Sequence, residues 1–175
     1  DIKETAKYFA INDILSTDHP YAWNNLRFYY NPITARLIPI GFDGSIKIRQ
    51  DNRRLSIDHN PLGIFDDTNF VKEYIKQLEK VSEKDYLERF FTSINDELKK
   101  SLAKIHRSYP HVKLRRDEFS KNAKYIRARL GAINPIGTRF INDSNVSTNL
   151  KKVAFFNKST LPIEVLSIST NKYTY

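Results

Sequence analysis

The sequence predicts an α+β protein, mainly helical, on three observations. Apolar residues recur at helical spacing over residues 3–15, 67–105 and 117–130. An aromatic run and an apolar run flank the turn-forming Asn31-Pro32-Ile33-Thr34, the pattern of a β-hairpin. After about residue 134 the texture shifts to Asn, Ser, Thr and Gly with β-branched apolar runs, which marks a change of organisation. The expected division is therefore a mainly helical region over 1–133 and a β-rich segment or appendage over 134–175.

The first helix is expected over residues 3–15, with Tyr8, Ile11 and Leu15 in phase and Phe9 and Ile14 beside them. Ser16-Thr17-Asp18-His19-Pro20 should end it, because a proline disfavours the α conformation in the residue before it. Strands are expected at 27–30 and 36–42, and Pro39 marks the second as short or at an edge. Such a hairpin brings the residue entering one strand near the residue leaving the other, here Asn25 and Asp43. Residues 45–61 show no period and read as a connection or a substrate-facing loop.

Asp67 or Thr68 is placed to cap a helix carrying Phe70, Val71, Tyr74, Ile75 and Leu78. Ser82-Glu83-Lys84-Asp85 resembles a capping box with Asp in place of Glu, opening one longer helix with Tyr86, Leu87, Phe90, Phe91, Ile94, Leu98, Leu102 and Ile105 at core spacing. A further helix is expected from Asp117 to about Leu130, stopping near Gly131 and Pro135. Residues 153–157 and 161–168, separated by a turn, read as the first hairpin of a β-rich domain.

Composition narrows the chemistry. There is no Cys, hence no disulfide, thiolate metal site or Cys nucleophile. The absence of Met leads to the expectation of a processed product or a piece of a longer polypeptide. Lys and Arg number 29 against 20 Asp and Glu, a net +9 that favours anionic partners. Apart from Lys113-Leu114-Arg115-Arg116 the cations read as spread over solvated helix faces, so nucleic acid is not the expected partner. No apolar stretch is long enough for a membrane span.

Asp18, Asn25 and Asp43 form the constellation that carries chemistry. Phosphoryl transfer needs a carboxylate to orient the attacking hydroxyl, and an amide oxygen with a second carboxylate suits Mg²⁺ bound to ATP phosphates. Asn24, equally polar, stands beside Asn25 for the amide role. Bland alternatives exist for each: a turn at Asp18 before Pro20, a strand-entry bond at Asn25, and an Asp-Gly turn at Asp43. His19 reads as a loop histidine with at most an auxiliary role. His59 between Asp58 and Asn60 is not expected to be a metal site, since consecutive residues rarely converge on one ion. Trp23, Phe28, Tyr29 and Tyr30 are explained more simply by core packing than by base stacking.

The run Asp18-His19-Pro20-Tyr21-Ala22-Trp23-Asn24-Asn25-Leu26-Arg27-Phe28-Tyr29-Tyr30-Asn31-Pro32, followed by Leu37-Ile38-Pro39-Ile40-Gly41-Phe42-Asp43, resembles the core of the spore coat protein H (CotH) kinase family. The resemblance implies the mainly helical half of an atypical protein-kinase-like fold with a catalytic β-hairpin. It assigns Asp18 the catalytic carboxylate, Asn25 the metal-binding amide and Asp43 the metal-binding carboxylate, with Mg²⁺ and ATP as cofactors. It further implies a protein substrate, coat or envelope proteins as partners, and an extracytoplasmic setting at a cell surface, in secretion or in a spore coat. In place of the family's more usual Pro-Trp-Asp, this chain has Gly41-Phe42-Asp43. No Gly-rich phosphate loop is found, only five glycines being present, so the isolated chain is expected to be inactive. The alternative is a kinase-like module without catalysis, kept for assembly.

Overall fold

The structure, a computed structural model, describes residues 1–22, 24–44, 54–131, 134–141, 152–159 and 161–167. Trp23, most of the expected 45–61 loop and Ile168 lie outside them. The chain is α+β and divides into two units, Asp1–Leu130 and Gly131–Tyr175.

The first unit begins with α1, Ile2–Leu15, whose N-terminus is capped by Asp1 accepting from the Lys3 and Glu4 amides. It ends where Ser16 turns left-handed and its N–H returns to the Asn12 and Asp13 carbonyls. A 3₁₀ turn, His19–Tyr21, leads to the hairpin of β1, Arg27–Asn31, and β2, Arg36–Ile40. The antiparallel register pairs Arg27 with Ile40 and Asn31 with Arg36, and Asn31 Oδ1 accepts from the Ile33 and Thr34 amides to shape the turn. β2 stops two residues before the expected Phe42.

The short α2, Ser56–His59, and a kinked 3₁₀ segment, Pro61–Asp66, lead into α3, Thr68–Ser82, capped by Asp67. The core joins α1, α3 and the Pro61–Asp66 segment through aromatic rings. Phe9, fully buried, has Tyr8, Tyr21, Phe65 and Phe70 around it at centroid distances of 5.3–6.1 Å. Phe65 also meets the buried Tyr74 edge to face. Ile11, in phase with the helical period, is instead partly exposed, because α1 turns its Ala6-Phe9-Ala10 face inward.

The single helix expected from Ser82 to Ile105 is two: α4, Tyr86–Ser93, and α5, Asn95–His106. At the break, near Ile94, the Phe90 carbonyl accepts from both the Ser93 hydroxyl and the Ile94 amide, and Ile94 itself is non-helical at φ −103°, ψ 7°. The expected capping box does not form, since Ser82 closes α3 with its hydroxyl on the Glu79 carbonyl and Asp85 makes no side-chain cap. Residues Leu98, Leu102 and Ile105 do not reach a core: α5 buries no residue. The last helix, α6, Arg116–Leu130, packs on α1 and α3 and buries Phe119, Ala123 and Ile126, the Phe119 ring meeting Phe91 of α4. Asn122 Nδ2 donates to the Ile14 carbonyl and ties α6 to the end of α1.

In the second unit β3, Ile136–Ile141, pairs antiparallel with β4, Lys152–Asn157. The partner of 153–157 is thus β3 and not, as the apolar runs suggest, residues 161–168. Asn157 Nδ2 donates to the Leu161 carbonyl, Asn157 Oδ1 accepts from the Ser159 amide and Ser159 Oγ from the Leu161 amide, a local turn that takes the chain out of the ladder.

Candidate functional site

The site is built on the segment between α1 and the hairpin. Pro20 is fully buried, and its carbonyl accepts from the Tyr8 hydroxyl at 2.9 Å. Burial holds that hydroxyl above the ordinary phenol pKa, so it remains a donor. Tyr21, next in sequence, packs its ring on Phe9 and on His59. The 3₁₀ turn is therefore anchored to the core at Pro20 and Tyr21.

Asp18 stands at the N-terminus of this turn. Its carbonyl accepts from the Tyr21 and Ala22 amides, while its side chain makes no capping bond to the turn. It lines a cavity of about 510 Å³ together with His19, Tyr21, Leu26, His59 and Leu62. The walls are mainly apolar, with two imidazoles and one carboxylate among them.

Asn25 and Asp43 meet at His19. Asp43 Oδ2 lies 2.7 Å from His19 Nδ1, and Asn25 Nδ2 lies 3.2 Å from the same nitrogen and 3.1 Å from the His19 carbonyl oxygen. A carboxylate oxygen only accepts, so Nδ1 carries the proton and donates to Asp43. With Nδ1 a donor, the Asn25 amide hydrogen goes to the His19 carbonyl. Asn25 is buried, whereas the side chains of His19 and Asp43 are 54% and 56% exposed.

Local geometry explains the convergence. Asp43 has φ +52°, a left-handed conformation that Asp tolerates better than most residues, and it turns the chain back after β2. Gly44 then passes close to Pro20, where an added Cβ would stand 3.4 Å from the proline ring. His19, read from sequence as a side player, is thus the residue on which the other two converge. The signal available was its place beside Asp18 and six residues before Asn25. No signal pointed to Leu26 or Leu62 as cavity walls.

Two other sequence readings are settled by contacts. Asp58 accepts both from Arg129 Nη2, at 3.0 and 3.1 Å, and from the Leu55 amide, while Asn60 bonds Asp66 and the Phe65 amide. Asp58 and Asn60 are thus tied into structural bonds, while His59 between them packs on Tyr21 and lines the cavity. The hairpin aromatics Tyr29 and Tyr30, expected in a core, are 54% and 57% exposed. A two-stranded sheet has too little area to cover both its faces.

Among the described residues no group of three or more His, Asp or Glu side chains is placed to hold a metal, and no helix is long and apolar enough to cross a membrane. No family model, curated protein or solved structure matches this chain.

Proposed function

We propose that this chain carries the carboxylate and metal side of a CotH-like phosphotransferase site, in an atypical protein kinase that transfers the ATP γ-phosphoryl group to protein hydroxyls. The observation that carries this reading is the convergence of Asn25 and Asp43 on His19 Nδ1, with Asp18 one residue away on the wall of the adjoining cavity.

The donor set fits Mg²⁺, which takes few protein oxygens and keeps several waters. Asn25 and Asp43 would hold it, and the ion would neutralise charge on the phosphates. Asp43 offers one oxygen to His19 and keeps a second oxygen for an ion, an arrangement in which an outer hydrogen bond orients the ligand. Asp18 would orient the acceptor hydroxyl inside the apolar cavity and take its proton.

The test is phosphoryl transfer from ATP by the natural polypeptide that contains these 175 residues, with Asp18→Asn and Asp43→Asn as variants. Each should lose about 10²-fold or more in kcat while unfolding normally. Undiminished transfer in both would refute the mechanism. A second reading, an assembly module of a surface or coat protein, draws on the exposed Tyr29, Tyr30 and Leu37 of the hairpin. It predicts no Mg-ATP binding by that polypeptide, which equilibrium dialysis would decide.

A further inference from the structure

We infer that α5 and the turn after it form an interfacial anchor for anionic lipid membranes. Residues 99–116 contain seven Lys and Arg and no Asp or Glu, so one stretch holds most of the net +9 of the chain. Arg115 is paired with Glu118 and Arg116 lies over the Phe91 ring. The others, Lys99, Lys100, Lys104, Arg107 and Lys113, have no carboxylate partner among the described residues.

The cations frame an apolar stripe. Leu98, Leu102, Ile105 and Tyr109 follow one another at helical spacing, and Ile105, Tyr109 and Val112 are 42%, 59% and 36% exposed. The tip has a defined shape. The Tyr109 amide donates to the Ile105 carbonyl, the Val112 amide to the Tyr109 carbonyl, and His106 Nε2 to the Val112 carbonyl at 2.8 Å, closing the turn back on the helix.

This combination selects among anionic partners. Aliphatic side chains at the tip give nothing to a nucleic-acid backbone, and of the apolar residues there only Tyr109 can stack on a base. A protein partner would need a concave apolar site ringed by acids. A bilayer needs neither, since it accepts an apolar tip between headgroups and draws Lys and Arg to its anionic surface. At twelve residues α5 lies on the surface and does not span.

The experiment is sedimentation of the 175-residue chain with vesicles of phosphatidylcholine alone or mixed with phosphatidylserine. The anchor predicts binding to the mixed vesicles and little to the neutral ones. A Lys104→Glu/Arg107→Glu/Lys113→Glu variant should bind at least about a hundredfold more weakly. An Ile105→Ser/Tyr109→Ser/Val112→Ser variant should lose about tenfold and become more salt-sensitive. All six positions are exposed, so folding is retained and circular dichroism verifies it. No binding to the mixed vesicles overturns the proposal. Equal binding by the wild type and the triple-serine chain also overturns it, because the surface would then be a general polyanion site of the kind that retains nucleic acid or acidic protein.

Discussion

Tyr74 donates its hydroxyl to Asp13 Oδ2 at 2.5 Å, joining α3 to α1 across 61 residues of sequence. Both groups are buried, and Asp13 Oδ1 accepts in addition from the amide and the hydroxyl of Ser56 at the start of α2. One carboxylate thus fastens three helices. Tyr74→Phe keeps the ring against Phe65 but leaves a buried carboxylate short of a donor, which costs about 1–3 kcal/mol. Urea denaturation followed by circular dichroism should show the midpoint lowered with the slope unchanged, and an unshifted midpoint would deny the bond any weight.

The same pair sets an alkaline limit. Burial first, then the Asp13 charge and hydrogen bond, raise the Tyr74 pKa well above the ordinary 10.0. A folded-state value raised above the unfolded one gives stability that is fully present below the unfolded value and is lost as pH climbs from there toward the folded one. The wild type should therefore lose its advantage over Tyr74→Phe above about pH 10. Tyr8, raised chiefly by its own burial, adds a loss of the same sign that persists in the variant. Unfolding midpoints of both chains measured from neutral to alkaline pH check this, and a constant gap between them would contradict it.

Asp13 also shows where the sequence stops being legible. The helical period placed α1, α3 and α6 close to their observed bounds, although only α3 presents a clean apolar face, α1 burying Thr5, Asn12 and Asp13 while leaving Ile11 exposed. It gave no hint of Asn12, Asp13 or Asn122 in the interior, since a polar residue reads as surface until its partner is known. The apolar pattern through Ile94 is continuous, and the break there, where Ile94 leaves the helical backbone conformation, is not encoded in spacing. Residues 153–157 and 161–168 are both apolar runs in the sequence, but bonds local to Asn157 and Ser159 turn the chain after β4. At the site, hairpin logic was enough to bring Asn25 and Asp43 together. It did not reveal that His19 stands between them, because that contact joins a loop to a turn with no regular geometry.

His19 supplies a prediction about function that leaves stability nearly untouched. Its pair with Asp43 is half exposed, and such pairs contribute about 1 kcal/mol or less. His19→Ala should therefore unfold close to the wild type. Under the proposed mechanism it also frees Asp43 from its orienting hydrogen bond, and loss of an outer partner typically costs 10–100-fold in metal affinity or activity. The Mg²⁺ concentration giving half-maximal transfer should rise in the natural polypeptide. An unchanged Mg²⁺ requirement would remove His19 from the site.

Arg129 contributes to the support beneath the cavity. Its guanidinium is mostly buried, grips both Asp58 oxygens and receives further contact from Tyr125, while Asp58 in turn caps α2 at Leu55. Lysine keeps the charge but offers neither the fork nor the planar stacking. Arg129→Lys should lower stability by about 1–2 kcal/mol. Because α2 carries His59 into the cavity wall, amide exchange over Ser56–His59 should quicken in this variant. Protection equal to the wild type there would separate Arg129 from the cavity.

Asp43 allows folding and function to be read apart at one position. Its φ of +52° is costly for residues with an ordinary Cβ, tolerated by Asn and Asp, and natural for Gly. Stability should then rank Gly and Asn near the wild type, with Ala about 1 kcal/mol lower. Phosphoryl transfer should rank differently, with only Asp supporting the full rate and Asn, Gly and Ala all falling sharply, because only the carboxylate supplies a charged oxygen ligand. Were transfer to follow stability across the four chains, Asp43 would be a turn residue and nothing more, whereas divergence of the two orders identifies the carboxylate as the working group.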